Sequence, residues 1–108
     1  MPMDDKQFDR LADAELHHLE KVLGDFDPDE VEVDFSSGVL TLTLADGNKI
    51  VVNSHRAAGQ IWMAAMRQAW HFSPREHDGN WTWHTATDEL RATLGRLLAE
   101  RIGRAITL

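Results

Sequence analysis

From Phe8 onward apolar residues recur at threes and fours: Phe8, Leu11, Ala12, Leu16, Leu19 and Leu23. That spacing lines one stripe of a helix and predicts an amphipathic α-helix over residues 5–23. Asp4 or Asp5 offers an N-cap, and Gly24 offers a terminator. Asp9, Asp13, His17 and Glu20 fall on a different stripe and are expected to face water. After an acidic linker the period changes to two. Val31, Val33 and Phe35 alternate with Glu32 and Asp34, and Leu40, Leu42 and Leu44 alternate with Thr41 and Thr43. Such alternation predicts half-buried strands over 31–35 and 39–44, joined at Ser36, Ser37 and Gly38. Asp46–Gly47 is a hairpin signal leading into a third strand over 49–53, with Ile50 and Val52 inward.

The rest of the chain predicts strands over 61–65, 69–73 and 80–84, with loops at Ser73–Pro74 and Asp78–Gly79. The alanines and methionines of 61–65 would also suit a helix. Thr87 or Asp88 is placed to cap a last helix reaching about residue 102, with Leu90, Leu94, Leu97, Leu98 and Ile102 on its apolar side. Hairpin-length connections imply an antiparallel meander. One face of that sheet needs cover, and the two terminal helices are available for it. The expected architecture is therefore α+β, a two-layer sandwich with two terminal helices on one face and the other face open. At 108 residues the chain has the length of one domain, residues 1–108.

Composition removes several function classes. With no cysteine, the chain has no thiolate nucleophile, zinc–thiolate site or disulfide, and cannot hold an iron–sulfur cluster through its own sulfur. Residues 1–10 are acidic and resemble no secretory signal, and no apolar run approaches the ~20 residues that span a bilayer. A soluble, cytoplasmic protein is expected. The net charge of −7 is unevenly spread. Residues 1–34 carry 12 of the 18 acids against three bases, or −9, and the remainder carries +2. An acidic end of this kind repels nucleic acid and attracts cations or basic protein surfaces.

The acids near the helix end, the linker and the first strand are candidate metal ligands: Glu20, Asp25, Asp27 and Asp29, followed by Glu30, Glu32 and Asp34. Hard cations prefer oxygen donors, and clustered carboxylates attract them without a preformed cage. Taken alone, the same acids equally serve solubility. His17 shares a helix face with Asp13 and Glu20 and could add an imidazole donor, beside the plainer reading of a solvated face; His18 lies next to it. His71, His77 and His84 read as strand or loop residues without a ligand role.

Strand parity marks a second surface. With Ile50, Val52 and Ile61 inward, Asn53, Gln60 and Trp62 project outward beside Thr41 and Thr43. An outward Trp among small polar residues is a typical binding anchor; a one-residue slip would instead bury it. Arg67 is a weaker candidate for the same surface. Trp70, Trp81 and Trp83 read as core or loop anchors. The chain has no Cys–His pair, Gly–X–Ser–X–Gly elbow, phosphate loop or His–Glu–X–X–His motif. Glu15–Leu16–His17–His18 lacks the partner motif of a di-iron bundle. No enzymatic activity is expected.

Several stretches occur in a telling order. They are the acidic first helix and strand, the segment from Gly38 to Leu42, and the segment from Asp46 to Asn53. Gln60–Ile61–Trp62, Trp70–His71–Phe72, Gly79–Asn80–Trp81 and a leucine-rich last helix follow. Over nearly the whole chain this resembles the frataxin family, in its bacterial, CyaY-like branch. Two features depart from that pattern: the last helix is unusually basic (Arg91, Arg96, Arg101, Arg104), and Lys21 and Gly24 thin the acidic ridge. The resemblance implies weak binding of Fe²⁺ and Fe³⁺, and of other divalent cations, through the acids named above. It also implies contact with the cysteine desulfurase and scaffold that build iron–sulfur clusters, through Asn53, Gln60 and Trp62. The implied role is an iron-dependent modulator of that machinery, or an iron chaperone. A metal-independent acidic adaptor of the desulfurase is the alternative. A monomer is implied, or an oligomer where iron drives assembly, with neither nucleic acid nor membrane as partner.

Overall fold

A computed structural model describes residues 3–108. The order of elements is α1 (Asp5–Gly24), β1 (Val31–Ser36), β2 (Val39–Leu44), β3 (Lys49–His55), a 3-10 turn (Arg56–Ala58), β4 (Gln60–Ala65), β5 (Gln68–His77), β6 (Asn80–His84) and α2 (Leu90–Ile102). The six strands form one antiparallel sheet in chain order. α1 packs on β1 and β3, and α2 on β6. The α+β sandwich expected from the periodicities is the fold that forms. The segment 61–65, with its mixed signal, is a strand because its partners on both sides supply backbone hydrogen bonds and an apolar face.

Between the layers lies one core. Leu16, Leu19 and Leu23 of α1 meet Leu40, Leu42, Ile50 and Val52 of the sheet, all 0 % exposed. At the other end Trp83 is 1 % exposed and meets Phe8 edge-on, ring centroids 5.8 Å apart. An aromatic pair in this geometry adds about 0.5–1.5 kcal/mol beyond the area it buries.

Local chemistry explains the element ends, and three expectations are corrected. Asp4 caps α1, its Oδ1 accepting from the Gln7 N–H at 2.7 Å. Gly24 does not terminate α1; it is the last helical residue, and Asp25 follows it in helical geometry. The cap of α2 is neither Thr87 nor Asp88. Glu89 takes that place, its carboxylate accepting from the Arg91 and Ala92 N–H groups. Thr85 diverts the expected caps, since its Oγ1 accepts from the Thr87 and Asp88 N–H groups in a turn of its own. The third correction concerns Ser73–Pro74, which is strand and not loop. β4 pairs with β5 only as far as Ile61 opposite Phe72. From Ser73 on, β5 pairs with β6 alone, with Pro74 opposite Trp83. One side of β5 is thus a free edge there, and an edge tolerates a residue without an N–H.

Three hairpins turn through two residues in left-handed backbone: Ser37–Gly38, Met66–Arg67 and Asp78–Gly79. This is the turn whose twist matches that of paired strands. Met66 (φ 45°) and Arg67 (φ 68°) adopt it without a glycine.

Two surfaces that meet on the first strand

The acidic residues lie along one edge of the sandwich because α1 packs on the edge strand β1. His17 of α1 stacks on Phe35 of β1 with centroids 5.1 Å apart, and its Nδ1 lies 3.7 Å from Glu20 Oε1. Asp25 follows the helix directly. Asp27 Oδ1 accepts from the Asp29 N–H at 2.9 Å, which shapes the linker into a turn. Glu32 and Asp34 are exposed on β1, on the face away from the helices. Glu30 is drawn off by Arg104, whose guanidinium also lies 5.3 Å above the Phe26 ring. That carboxylate raises the Arg104 pKa, chiefly by hydrogen bonding.

His17 and Glu20 are therefore neighbours, and the remaining acids extend from them along the linker and β1. Among the described residues, no three His, Asp or Glu side chains converge as a metal site would require. The edge is a distributed negative field. Such a field concentrates cations and leaves them exchangeable, because no donor set fixes a coordination geometry.

The basic last helix has a structural explanation. Arg91 makes a two-pronged ion pair with Glu15 of α1, Nε to Oε2 at 2.9 Å and Nη2 to Oε1 at 2.8 Å. Arg101 reaches Asp46 in the β2–β3 turn, and Arg96 reaches Glu100. Arg91 and Arg101 tie α2 to the rest of the molecule, and Arg96 is paired within the helix, which leaves little free positive charge on it.

The second surface is the sheet face that no helix covers. Ile61 and Met63 point into the core, and Trp62 points the other way. Directly across the strands, Trp62 faces Asn53 on β3 and His71 on β5. Its indole lies flat between two imidazoles. His55 stacks on one side with centroids 3.9 Å apart and planes at 11°, and His71 on the other at 4.1 Å and 12°. Trp62 Nε1 donates to Gln60 Oε1 at 2.9 Å, and Gln60 Nε2 donates to Ser73 Oγ at 3.2 Å. Asn53 Nδ2 donates to the Ser54 carbonyl at 3.2 Å. Asn53, Gln60 and Trp62 are thereby brought together as one fixed patch. Arg67, at the β4–β5 turn, is exposed.

The two imidazoles were missed by the residue patterns. His55 lies past the expected end of β3, and His71 has no helical or motif spacing to Trp62. Only the strand register places them beside it.

The frataxin-like domain family matches residues 1–104. The iron-sulfur cluster assembly protein CyaY of Ralstonia nicotianae is 35% identical over 99% of this chain and 96% of its own length. Its namesake in Tolumonas auensis is 30% identical over 98% of this chain and 99% of its own length. Among solved structures, frataxin from Psychromonas ingrahamii superposes with a TM-score of 0.81 at 22% identity, covering 97% of each chain. The trimeric frataxin of Saccharomyces cerevisiae superposes with a TM-score of 0.69 at 24% identity, covering 96% of this chain and 84% of the yeast chain. The helix-covered meander with its acidic edge and bare opposite face, and a sequence match along nearly its full length, make this chain a member of the frataxin-like family, of the bacterial CyaY-like kind.

Proposed function

We propose that this protein serves iron–sulfur cluster assembly as a binding protein, holding iron loosely on its acidic edge and regulating the cysteine desulfurase and scaffold by docking on them. The observation that carries this reading is the meeting of two surfaces on one strand. β1 bears Glu32 and Asp34 on the same side as the patch formed by Asn53, Gln60 and Trp62. A partner seated on the open face therefore lies within the field that gathers the cation. Relatives at 30% to 35% identity carry the name of iron–sulfur cluster assembly proteins, which supports the same role. A yeast frataxin has been solved with ferrous iron, though its likeness to this chain is one of fold.

Iron is cargo here. Carboxylates of α1, the linker and β1 would share it with water, and His17 beside Glu20 offers a mixed nitrogen–oxygen pair on this edge. The test is cluster formation on a scaffold with purified desulfurase, followed at several iron levels with and without this protein. A change in rate that depends on iron is expected. Replacing Asp25, Asp27, Glu32 and Asp34 by amides should abolish that dependence and weaken Fe²⁺ binding about tenfold or more, since several carboxylates act together. An amide variant that titrates with Fe²⁺ like the parent would overturn the iron reading.

One observation favours the metal-independent adaptor: three acids do not converge, and Glu30 is already committed to Arg104. In that case the acidic edge grips a basic desulfurase surface directly. Desulfurase binding that is unchanged by chelator, yet lost in the amide variant, would select the adaptor.

A further inference from the structure

The open face is electrically divided, and its two halves ask for different partners. Its carboxylates, Glu32 and Asp34, stand on β1. From β2 to β6, the outward positions given by the strand register carry no acid among the described residues. They carry Lys49 on β3, Arg75 on β5 and the imidazoles of His55, His71, His77 and His84, with Arg67 at the adjoining turn. Four other charged groups border this half. Asp78, at the β5–β6 turn, lies 3.2 Å from His77, and Arg56, beside His55, is bound to Asp9 of α1. Glu89 bridges His84 through the backbone and spends its carboxylate on the Arg91 and Ala92 N–H groups, and Asp46, in the β2–β3 turn, is bound to Arg101. Arg75 faces Thr82, and among the described residues neither it nor Lys49 is in an ion pair, unlike the arginines of α2.

We propose that this half, from β3 to β6, is the seat of an acidic segment of a partner protein, and that its grip strengthens as the imidazoles gain protons. The inference rests on the docking reading above, and adds the chemistry of what docks. Unpaired cations around a rigid aromatic patch attract carboxylates and fix their register. The indole presents its edge to the partner, since His55 and His71 cover its two faces. A protonated imidazole on an indole is held by cation–π attraction, so the patch keeps its shape as it becomes charged. His71 is exposed, and His84 faces Ser73 with its Nε2 2.7 Å from Thr82 Oγ1. Histidine side chains ordinarily change charge near pH 6.5, which lies inside the cellular range.

The test uses the whole protein and a decaglutamate peptide as the probe, followed by amide and indole NMR signals at low salt. Mutual repulsion raises the peptide's carboxyl pKa values, so any charge it loses at pH 6 weakens binding there, and tighter binding at pH 6 belongs to the protein. Shifts are expected at Trp62 Nε1, His71, Arg75 and Thr82, with affinity about threefold or more higher at pH 6 than at pH 8. His71→Gln with His84→Gln should remove the pH effect, and Lys49→Glu with Arg75→Glu should remove binding. Shifts elsewhere, equal affinity at both pH values, or equally tight binding of a ten-nucleotide thymidine strand would each overturn the proposal. In parallel, binding of the parent and the same variants to the desulfurase–scaffold assembly is measured. A parent that binds the peptide as expected but ignores the assembly refutes the docking reading alone. A parent that binds the assembly, with variants no weaker and no dependence on pH, refutes this inference alone.

Discussion

Replacing Arg91 by Met should destabilise the protein by about 2–3 kcal/mol at pH 7. The Glu15 side chain is 5% exposed and accepts both of its charge-assisted bonds from Arg91, whose own side chain is 37% exposed. Those bonds raise the Arg91 pKa against an opposing effect of burial. Methionine keeps the length, the apolar stem and the helix propensity, so the substitution isolates the guanidinium. Removing one partner of a buried pair costs about 3–5 kcal/mol. The half-open position of Arg91 lets water reach the carboxylate and places this pair at or below the lower end of that range. A ceiling comes from protonation: neutralising an ordinary glutamate at pH 7 costs about 3.7 kcal/mol. At pH 4.5 that escape is nearly free, and the loss should shrink to about 1 kcal/mol. Glu15→Leu combined with Arg91→Met removes both charges and should recover most of the stability. Urea unfolding of the parent, both single variants and the double variant at the two pH values gives the coupling energy directly. A coupling under about 0.5 kcal/mol at pH 7 would refute the claim that this pair ties α1 to α2.

Two further outcomes follow from the turns. The Asp46 carboxyl is held below the usual carboxylate range, first by the Asn48 N–H, with Arg101 adding to it. A carboxyl whose pKa is lower folded than unfolded contributes stability that is present above the unfolded value, near pH 4, and lost as pH falls through the folded value. Asp46→Asn should therefore flatten the acid limb of a stability–pH curve below about pH 4 and leave its slope near pH 7 unchanged; thermal unfolding across pH reads this. Arg67→Gly should stabilise the fold by about 0.5–1 kcal/mol, because relief of a left-handed non-glycine residue outweighs the entropy that glycine adds to the unfolded chain. Chemical denaturation measures it, and a loss of stability would show that the Arg67 side chain has a structural contact of its own.

The periodicities of the sequence were sufficient for most of the architecture. A 3.6-residue stripe from Phe8 to Leu23, alternation from Val31 to Val52 and a leucine-rich terminal segment leave few ways to bury their apolar faces. The direction of Trp62 was left open by parity alone, because a one-residue slip reverses it, and the register with β3 and β5 turns it outward. Apart from Gly24, the departures arise where partners elsewhere in the chain decide the outcome. Thr85 captured the N–H groups that would have made Thr87 or Asp88 helix caps. Pro74 escaped its usual role as a strand breaker because β4 had already ended beside it. The acidic edge was legible as charge density, but not its division: nothing local says that Glu30 belongs to Arg104, 74 positions away.

The amino-acid order by itself determined the kinds of element, their succession and the segregation of acid into the first third of the chain, because those depend on neighbours within a few residues. Tertiary structure alone decided which charges remain free. It spent Glu15, Glu30 and Asp46 on the arginines of α2 and its C-terminal end, and left Lys49 and Arg75 unpaired on the open face. It also set two histidines against Trp62 from strands on either side, a contact that exists only once the register of β3, β4 and β5 is set. Pairing across a sheet or between helices depends on distance in space, and sequence separation carries no information about that until the chain has folded.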